Sequence, residues 1–413
     1  MTTVEKTRKF LPYGRQTVTQ EDIEAVIEVL RSDWLTQGPT IECFEQALAQ
    51  RLGAKHVVVC ATGTAALHLT MLALGLGPGD QVVTTPNTFL ADANCARYVG
   101  ADVVFADIDP DTGSIDPSVI AATLKRDHER RIKAIVPVHF GGQPVDLPEI
   151  QQLADAHGAV VVDDACHALG AAYEHEGVKH TVGDGAHSAM TAFSFHPVKH
   201  VAMGEGGAVA TNDDDLADKL RIFRNHGMTK ENFQQPEMAL AQDRRPNPWY
   251  YEMQQLGYNY RITDMQCALG LSQLKRLDWS VRRRNEIARC YQALIAEHFE
   301  AGTVEPLHVR EAVTHAYHLF VVRIAFARFG VPRAEVMTRL REAGIGTQVH
   351  YIPVPLQPYY RKACGTGPGD FPRAEAYYAQ ALSLPMYPDL SEADCIRVIE
   401  ELALILTSRS RNG

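Results

Sequence analysis

The chain has 413 residues, 46% hydrophobic and 22% charged, the balance of an ordinary folded protein; the length exceeds what one compact core holds, so two domains are expected. Forty Lys and Arg against 50 Asp and Glu leave a formal net charge of −10. That balance speaks against a nucleic-acid partner, because displacing phosphate counterions needs a basic face.

Eight scattered cysteines include no C-x-x-C pair, so reduced thiols are expected rather than a zinc ribbon or a disulfide framework. Residues 1–9 are polar and charged with no apolar stretch behind them, and no run of 18 apolar residues follows anywhere. A cytoplasmic protein with no membrane partner is the expectation.

In chain order, Val57-Val58-Val59-Cys60, Val82-Val83-Thr84-Thr85, Val103-Val104-Phe105, Ala134-Ile135-Val136-Pro137-Val138 and Val160-Val161-Val162 read as strands apolar on both faces. Helix-forming stretches such as 65–74 and 147–156 separate them, which indicates an α/β chain with a mostly parallel sheet covered by helices. Residues 228–255 are polar and contain proline, the marks of a long surface loop. From 265 to about 298 the pattern is one long helix, followed by a strand at 319–324 and a helix at 333–343. The spacing predicts a large domain over 1–264, then a linking helix and a small C-terminal α+β domain over 265–413.

In parallel sheets ligands bind beyond the carboxyl ends of the strands. The unusual residues gather there: Thr62-Gly63-Thr64, Pro86-Asn87-Thr88-Phe89, His139-Phe140-Gly141-Gly142 and Asp163-Asp164-Ala165-Cys166-His167 each follow a strand. Gly63-Thr64-Ala65-Ala66 opens a helix, where free backbone N–H groups and the helix dipole can cradle a phosphate. It is neither a Walker A loop nor G-x-G-x-x-G. Asp164 ends a buried strand, where a carboxylate calls for a cation partner, although capping the helix predicted after it is an equally simple role. A metal held by Asp163, Asp164 and His167 is a third reading, with no further ligand cluster to support it, so no metal is expected. Phe89 taken alone reads as core. Lys199 in "FSFHPVKH" taken alone reads as a surface lysine, with Gly204-Glu205-Gly206-Gly207 just beyond it.

Taken together, a phosphate cradle, an acid at a strand end, an aromatic ring and a lysine after a later strand are what pyridoxal phosphate needs. The segments "ATGTAALH", "VVVDDACHALGA", "FSFHPVKH", "GEGGAVATND" and "LGYNYRITDMQCALGLSQL" resemble the DegT/DnrJ/StrS nucleotide-sugar aminotransferases, over roughly residues 10–390. The resemblance implies the fold type I architecture of aspartate aminotransferase and pyridoxal 5′-phosphate as cofactor. Within the family, "FLPYGRQ" and "SDWLTQGPTIECFEQALA" look most like the pseudaminic acid branch, which aminates C4 of a UDP-linked 4-keto-6-deoxy-N-acetylhexosamine.

Carried over by position, the resemblance makes Lys199 the Schiff-base lysine and Asp164 the partner of the ring nitrogen, with Phe89 stacked on the ring and His167 beside it. Thr64, Ala65 and Ser194 would hold the phosphate. Asn259 would reach the cofactor of a neighbouring subunit, which requires a homodimer with shared sites. Tyr13, Trp34, Leu35 and Thr36 fall in the amino-terminal substrate segment, and Arg261, His350 and Tyr351 in later substrate motifs; plain packing is the competing role for these seven. The resemblance also implies L-glutamate as donor, with Lys199 moving the proton and its pKa lowered by burial. Asp164 and Lys199 stand 35 positions apart, more than expected for the family, and "EHEGVKHTVGDG" at 174–185 reads as an enlarged loop.

Three other readings remain at this stage. A sugar dehydratase on the same scaffold replaces the lysine with histidine, and Lys199 argues against it. A non-catalytic sugar-nucleotide binder would not need the complete lysine, acid and phosphate set. An aminotransferase for a dTDP- or GDP-linked sugar, at C3 or C4, keeps the same site.

Overall fold

The computed structural model describes residues 9–245 and 247–408. The reading of the extreme N-terminus therefore concerns mostly residues outside the described part of the chain. A seven-stranded sheet runs, in spatial order, through His56–Cys60, Gly207–Thr211, Met190–Ser194, Val160–Asp164, Ile132–Val136, Gln81–Thr84 and Asp102–Phe105. Neighbours pair in parallel except Gly207–Thr211, which runs against both its neighbours. Its strands are buried almost end to end, as expected when helices cover both faces.

One apolar cluster, including Phe44, Val59, Ile135, Val161 and Phe193, lies on one side of this sheet. Another, including Val58, Leu67, Val82 and Val209, lies on the other. A separate core forms where helices Leu277–His298 and Glu392–Thr407 pack on a three-stranded sheet of Val304–Pro306, Phe320–Ile324 and Ala381–Leu384.

The structure departs from the sequence reading at three elements. The long helix expected over 265–298 is two helices, Asp264–Leu274 and Leu277–His298. The break comes at Arg276, whose guanidinium turns to the buried carboxylate of Asp22 at 2.5 Å. The enlarged loop is a hairpin, Ala172–His175 with Val178–Thr181. Its two turn residues, Glu176 and Gly177, both have positive φ (51° and 76°), the turn that matches strand twist. The 228–255 segment carries a two-residue strand pair, Met228–Thr229 with Glu252–Met253, and a short helix, Pro236–Ala239.

Candidate active site

Four strand ends and two later segments meet at one cavity of about 640 Å³. Among its walls are Thr64, Phe89, Asp164, His167, Ser194, Lys199, Tyr13, His350 and Tyr351, nine of the residues singled out from sequence. Lys199 sits in the loop joining Met190–Ser194 to its antiparallel neighbour Gly207–Thr211, whose ends pair Ser194 with Gly207. Phe195 N–H to Gly206 C=O (2.9 Å) and Met203 N–H to Phe195 C=O (2.9 Å) close that loop at its base. Gly207 is required there, because a Cβ would come within 2.2 Å of the Thr62 carbonyl oxygen.

Thr62 caps the helix Gly63–Ala73, its Oγ1 accepting from Ala65 N–H at 3.0 Å. Ala65 therefore uses its amide inside the cap rather than toward the cavity. The first two amides, of Gly63 and Thr64, have no acceptor within the helix. With the Thr64 and Ser194 hydroxyls lining the same space, they form a cradle for a phosphate.

Asp164 is the last residue of its strand, and its Oδ1 accepts from Cys166 N–H at 2.8 Å. Turns, not a helix, follow it, so helix capping is replaced by a local turn bond and the carboxyl lines the cavity. Asp163 points elsewhere: it accepts from Thr191 Oγ1 (2.7 Å) and pairs with His139 Nε2 (2.9 Å) in the buried interior. Those bonds take Asp163 out of any shared ligand set with Asp164 and His167.

His167 Nδ1 accepts from Gly141 N–H at 3.3 Å, which leaves Nε2 as the protonated nitrogen facing the Tyr351 hydroxyl at 3.3 Å. Burial, with Lys199 nearby, holds its pKa well below the ordinary value, so the ring is neutral. Phe89 is 56% exposed, which a core role would not leave it, and its ring centre lies 6.3 Å from that of Tyr351. Lys199 is half-buried, and burial lowers its pKa as expected from sequence.

Sequence reasoning missed His318. Its Nε2 lies 3.4 Å from Lys199 Nζ, and its ring centre 4.3 Å from that of His167. It comes from the segment before strand Phe320–Ile324, in the other core, and no local pattern marks it. Asp92, buried at the start of helix Ala91–Tyr98, also reaches the cavity and reads from sequence only as an acid in a first turn.

Five predicted residues lie elsewhere. Trp34 and Leu35 are exposed, and Thr36 bridges to Thr263. Arg261 donates to Asn225 Oδ1 (2.8 Å) in the wall of a second hollow of about 770 Å³. Asn259 bridges to Asn225 beside it.

The sequence profile of the DegT/DnrJ/EryC1/StrS aminotransferase family matches residues 16–403. The chain belongs to this family. It is 43% identical over 398 residues to the spore coat polysaccharide biosynthesis protein SpsC of Bacillus subtilis, covering 96% of this chain and 97% of that one. Its fold is similar to Helicobacter pylori PseC, an aminotransferase involved in the biosynthesis of pseudoaminic acid (TM-score 0.84, 31% identity, 96% of this chain and 99% of that chain). It is also similar to the PLP-form of Spr1654, a putative sugar aminotransferase of Streptococcus pneumoniae (TM-score 0.83, 27% identity, 96% and 98% covered). The protein is a sugar aminotransferase that depends on pyridoxal 5′-phosphate. Its cavity could hold that cofactor: helix amides and two hydroxyls suit a phosphate, and a carboxyl and an amine line the same space. No helix among the described residues is long and apolar enough to cross a membrane.

Proposed function

We propose that this enzyme transfers the amino group of glutamate to C4 of a UDP-linked 4-keto-6-deoxy-N-acetylhexosamine, as a step toward pseudaminic acid. The observation that carries the reading is the placement of Lys199 on a cavity of about 640 Å³ lined by acid and hydroxyl groups and by Phe89 and Tyr13. A volume of that order suits a cofactor with a sugar above it. The role of PseC in pseudoaminic acid biosynthesis supports the pathway.

When bound, the cofactor supplies an electron sink for the carbon that loses its proton. In this reading Asp164 holds the ring nitrogen protonated, and Gly63, Thr64 and Ser194 fix the phosphate. Phe89 covers one ring face. Lys199, its pKa lowered by burial, is the amine that would attack and afterwards carry a proton across the reacting face. His318, neutral because burial pushes its pKa well below the ordinary value, accepts from that amine and orients it.

The working unit in this reading is a cytoplasmic homodimer. Support comes from the large apolar residues left exposed on the 228–255 segment and beside it, Trp249 (75%) and Leu256 (73%) among them, which a partner surface would cover. Asn259, outside its own cavity, would reach the partner's cofactor. Trp34, Leu35, Thr36 and Arg261 would belong to that shared border.

A second reading follows from the higher identity to SpsC: another nucleotide-linked keto sugar, destined for a polysaccharide. Comparison of kcat/KM for UDP-, dTDP- and GDP-linked 4-keto and 3-keto sugars tests both. A preference for a dTDP- or GDP-linked acceptor removes the pseudaminic acid reading and leaves the aminotransferase intact. A site that hydrogen-bonds one hydroxyl can discriminate by about 10⁴-fold, so the comparison is decisive.

A further inference from the structure

Asp164 does not face the cavity alone. Asp92, 1% exposed, lines the same cavity, its carboxyl close enough to feel the charge of Asp164. One contact of Asp92 is satisfied, Thr88 Oγ1 donating to its Oδ2 at 2.6 Å. Its Oδ1 is buried and has no donor. Asp164, by contrast, accepts the Cys166 amide and is the more exposed of the two, at 6%. A buried carboxyl oxygen that meets no donor, on a side chain beside a second carboxyl, is a position where a proton belongs.

We infer that Asp92 is a positioning residue: it carries the single proton of a two-carboxyl pair and, by donating it to Asp164, fixes Asp164 as the anion that meets the cofactor's ring nitrogen. This inference rests on the assignment of Asp164 as the ring's partner. The surrounding groups agree with one negative charge for the pair. Burial first, and the neighbouring Asp164 second, push the Asp92 carboxyl far above the usual range. The Cys95 and Cys166 thiols and the Tyr351 phenol are pushed up by burial and stay neutral, while the Lys199 amine is pushed down. None of these groups adds an anion, and a pair carrying one charge matches one ring cation. A neutral Asp92 also stops the Asp164 carboxylate from rotating away, since turning it breaks the bond it accepts.

Infrared spectroscopy and cofactor titration test this on the full-length protein with cofactor bound. The parent is expected to show the C=O stretch of a buried protonated carboxyl, and Asp92→Asn to lose it. Because the Asn amide can donate where the acid did, the midpoint of the bound cofactor's absorbance titration should stay in place in Asp92→Asn. Asp92→Leu, which has no donor, should weaken cofactor binding about tenfold or more. Absence of the band from the parent overturns the inference, whatever the variants do. So does a midpoint that falls by about one pH unit or more in Asp92→Asn, since that is the effect of removing a negative charge. Asp164→Asn keeps the two assignments apart. Unchanged cofactor affinity and spectrum there remove Asp164 as the ring's partner. Weakened affinity there, with a band that survives Asp92→Asn, keeps that role and overturns the shared proton.

Discussion

Replacing Gly63 by alanine places one methyl group at the most crowded point of the phosphate cradle. The new Cβ would lie 2.7 Å from Ser194 Cβ, 3.1 Å from Ser194 Oγ and 3.2 Å from Cys166 Sγ. The nearest of these atoms is fixed to a strand paired on both sides, so it cannot swing away as the end of a long side chain could. Overpacking of this kind costs about 1–3 kcal/mol. The cofactor-free protein can relieve part of the strain by shifting the helix start away from Ser194, but closing the cradle on a phosphate reverses that shift. The strain then appears in binding, as a rise of roughly 5- to 150-fold in the dissociation constant. Absorbance titration of cofactor-free protein measures it, with thermal melting as the control for stability. Ser194→Gly in the same chain removes the clashing Cβ, whereas Ser194→Ala keeps it; both lose the hydroxyl. Gly63→Ala with Ser194→Gly should therefore bind more tightly than Gly63→Ala with Ser194→Ala. Equal affinities for the two double variants would refute the steric argument.

Lys199→Ala should lose the lysine-linked colour and lower turnover by at least 10²–10⁴-fold, on the order expected for a lost proton carrier alone; borohydride reduction and peptide mapping that place the pyridoxyl group on another lysine contradict the assignment. Asp164→Asn should slow transamination strongly while the phosphate groups still retain cofactor, and a near-normal rate would reduce Asp164 to its turn-forming role. Mixing inactive Lys199→Ala with an inactive Asn259→Ala protein should restore part of the activity through hybrid dimers, provided each variant is inactive alone; none after verified subunit exchange argues against shared sites. His350 is buried and its pKa is pushed down to about 3, chiefly by burial and further by Lys199. The unfolded chain takes up that proton near pH 6.5, so the stability is present at neutral pH and lost as pH falls from about 6.5 toward 3, at up to about 1.4 kcal/mol per unit. His350→Gln should flatten the dependence of unfolding free energy on pH in that window, and an unchanged slope would contradict a neutral buried ring.

Much of the fold was legible because its signals are local. Runs such as Val57 to Cys60 and Val160 to Val162 are apolar on both faces, and only a sheet covered on both sides can bury them. Gly63 and Thr64 at a helix start, Asp164 at a strand end and Lys199 after a later strand could be aligned on one edge by the rule that such sheets bind ligands there. The antiparallel course of Gly207–Thr211 had no comparable mark, since a buried strand reads alike in either direction.

Tertiary structure alone decided which side chains meet. At the break between Leu274 and Leu277, Arg276 meets Asp22, which lies far away in sequence. His318 approaches Lys199 from the segment before strand Phe320–Ile324, and Asp163 pairs with His139 instead of joining Asp164 and His167 in a ligand set. Asp92 shows the reason most plainly. A carboxyl in the first turn of a helix is favoured for its charge wherever water reaches it. Burial beside Asp164 reverses that preference, because two adjacent anions out of water cannot both persist. Composition and periodicity determine what a segment prefers by itself. The charge state of a buried group depends on the neighbour that folding brings against it.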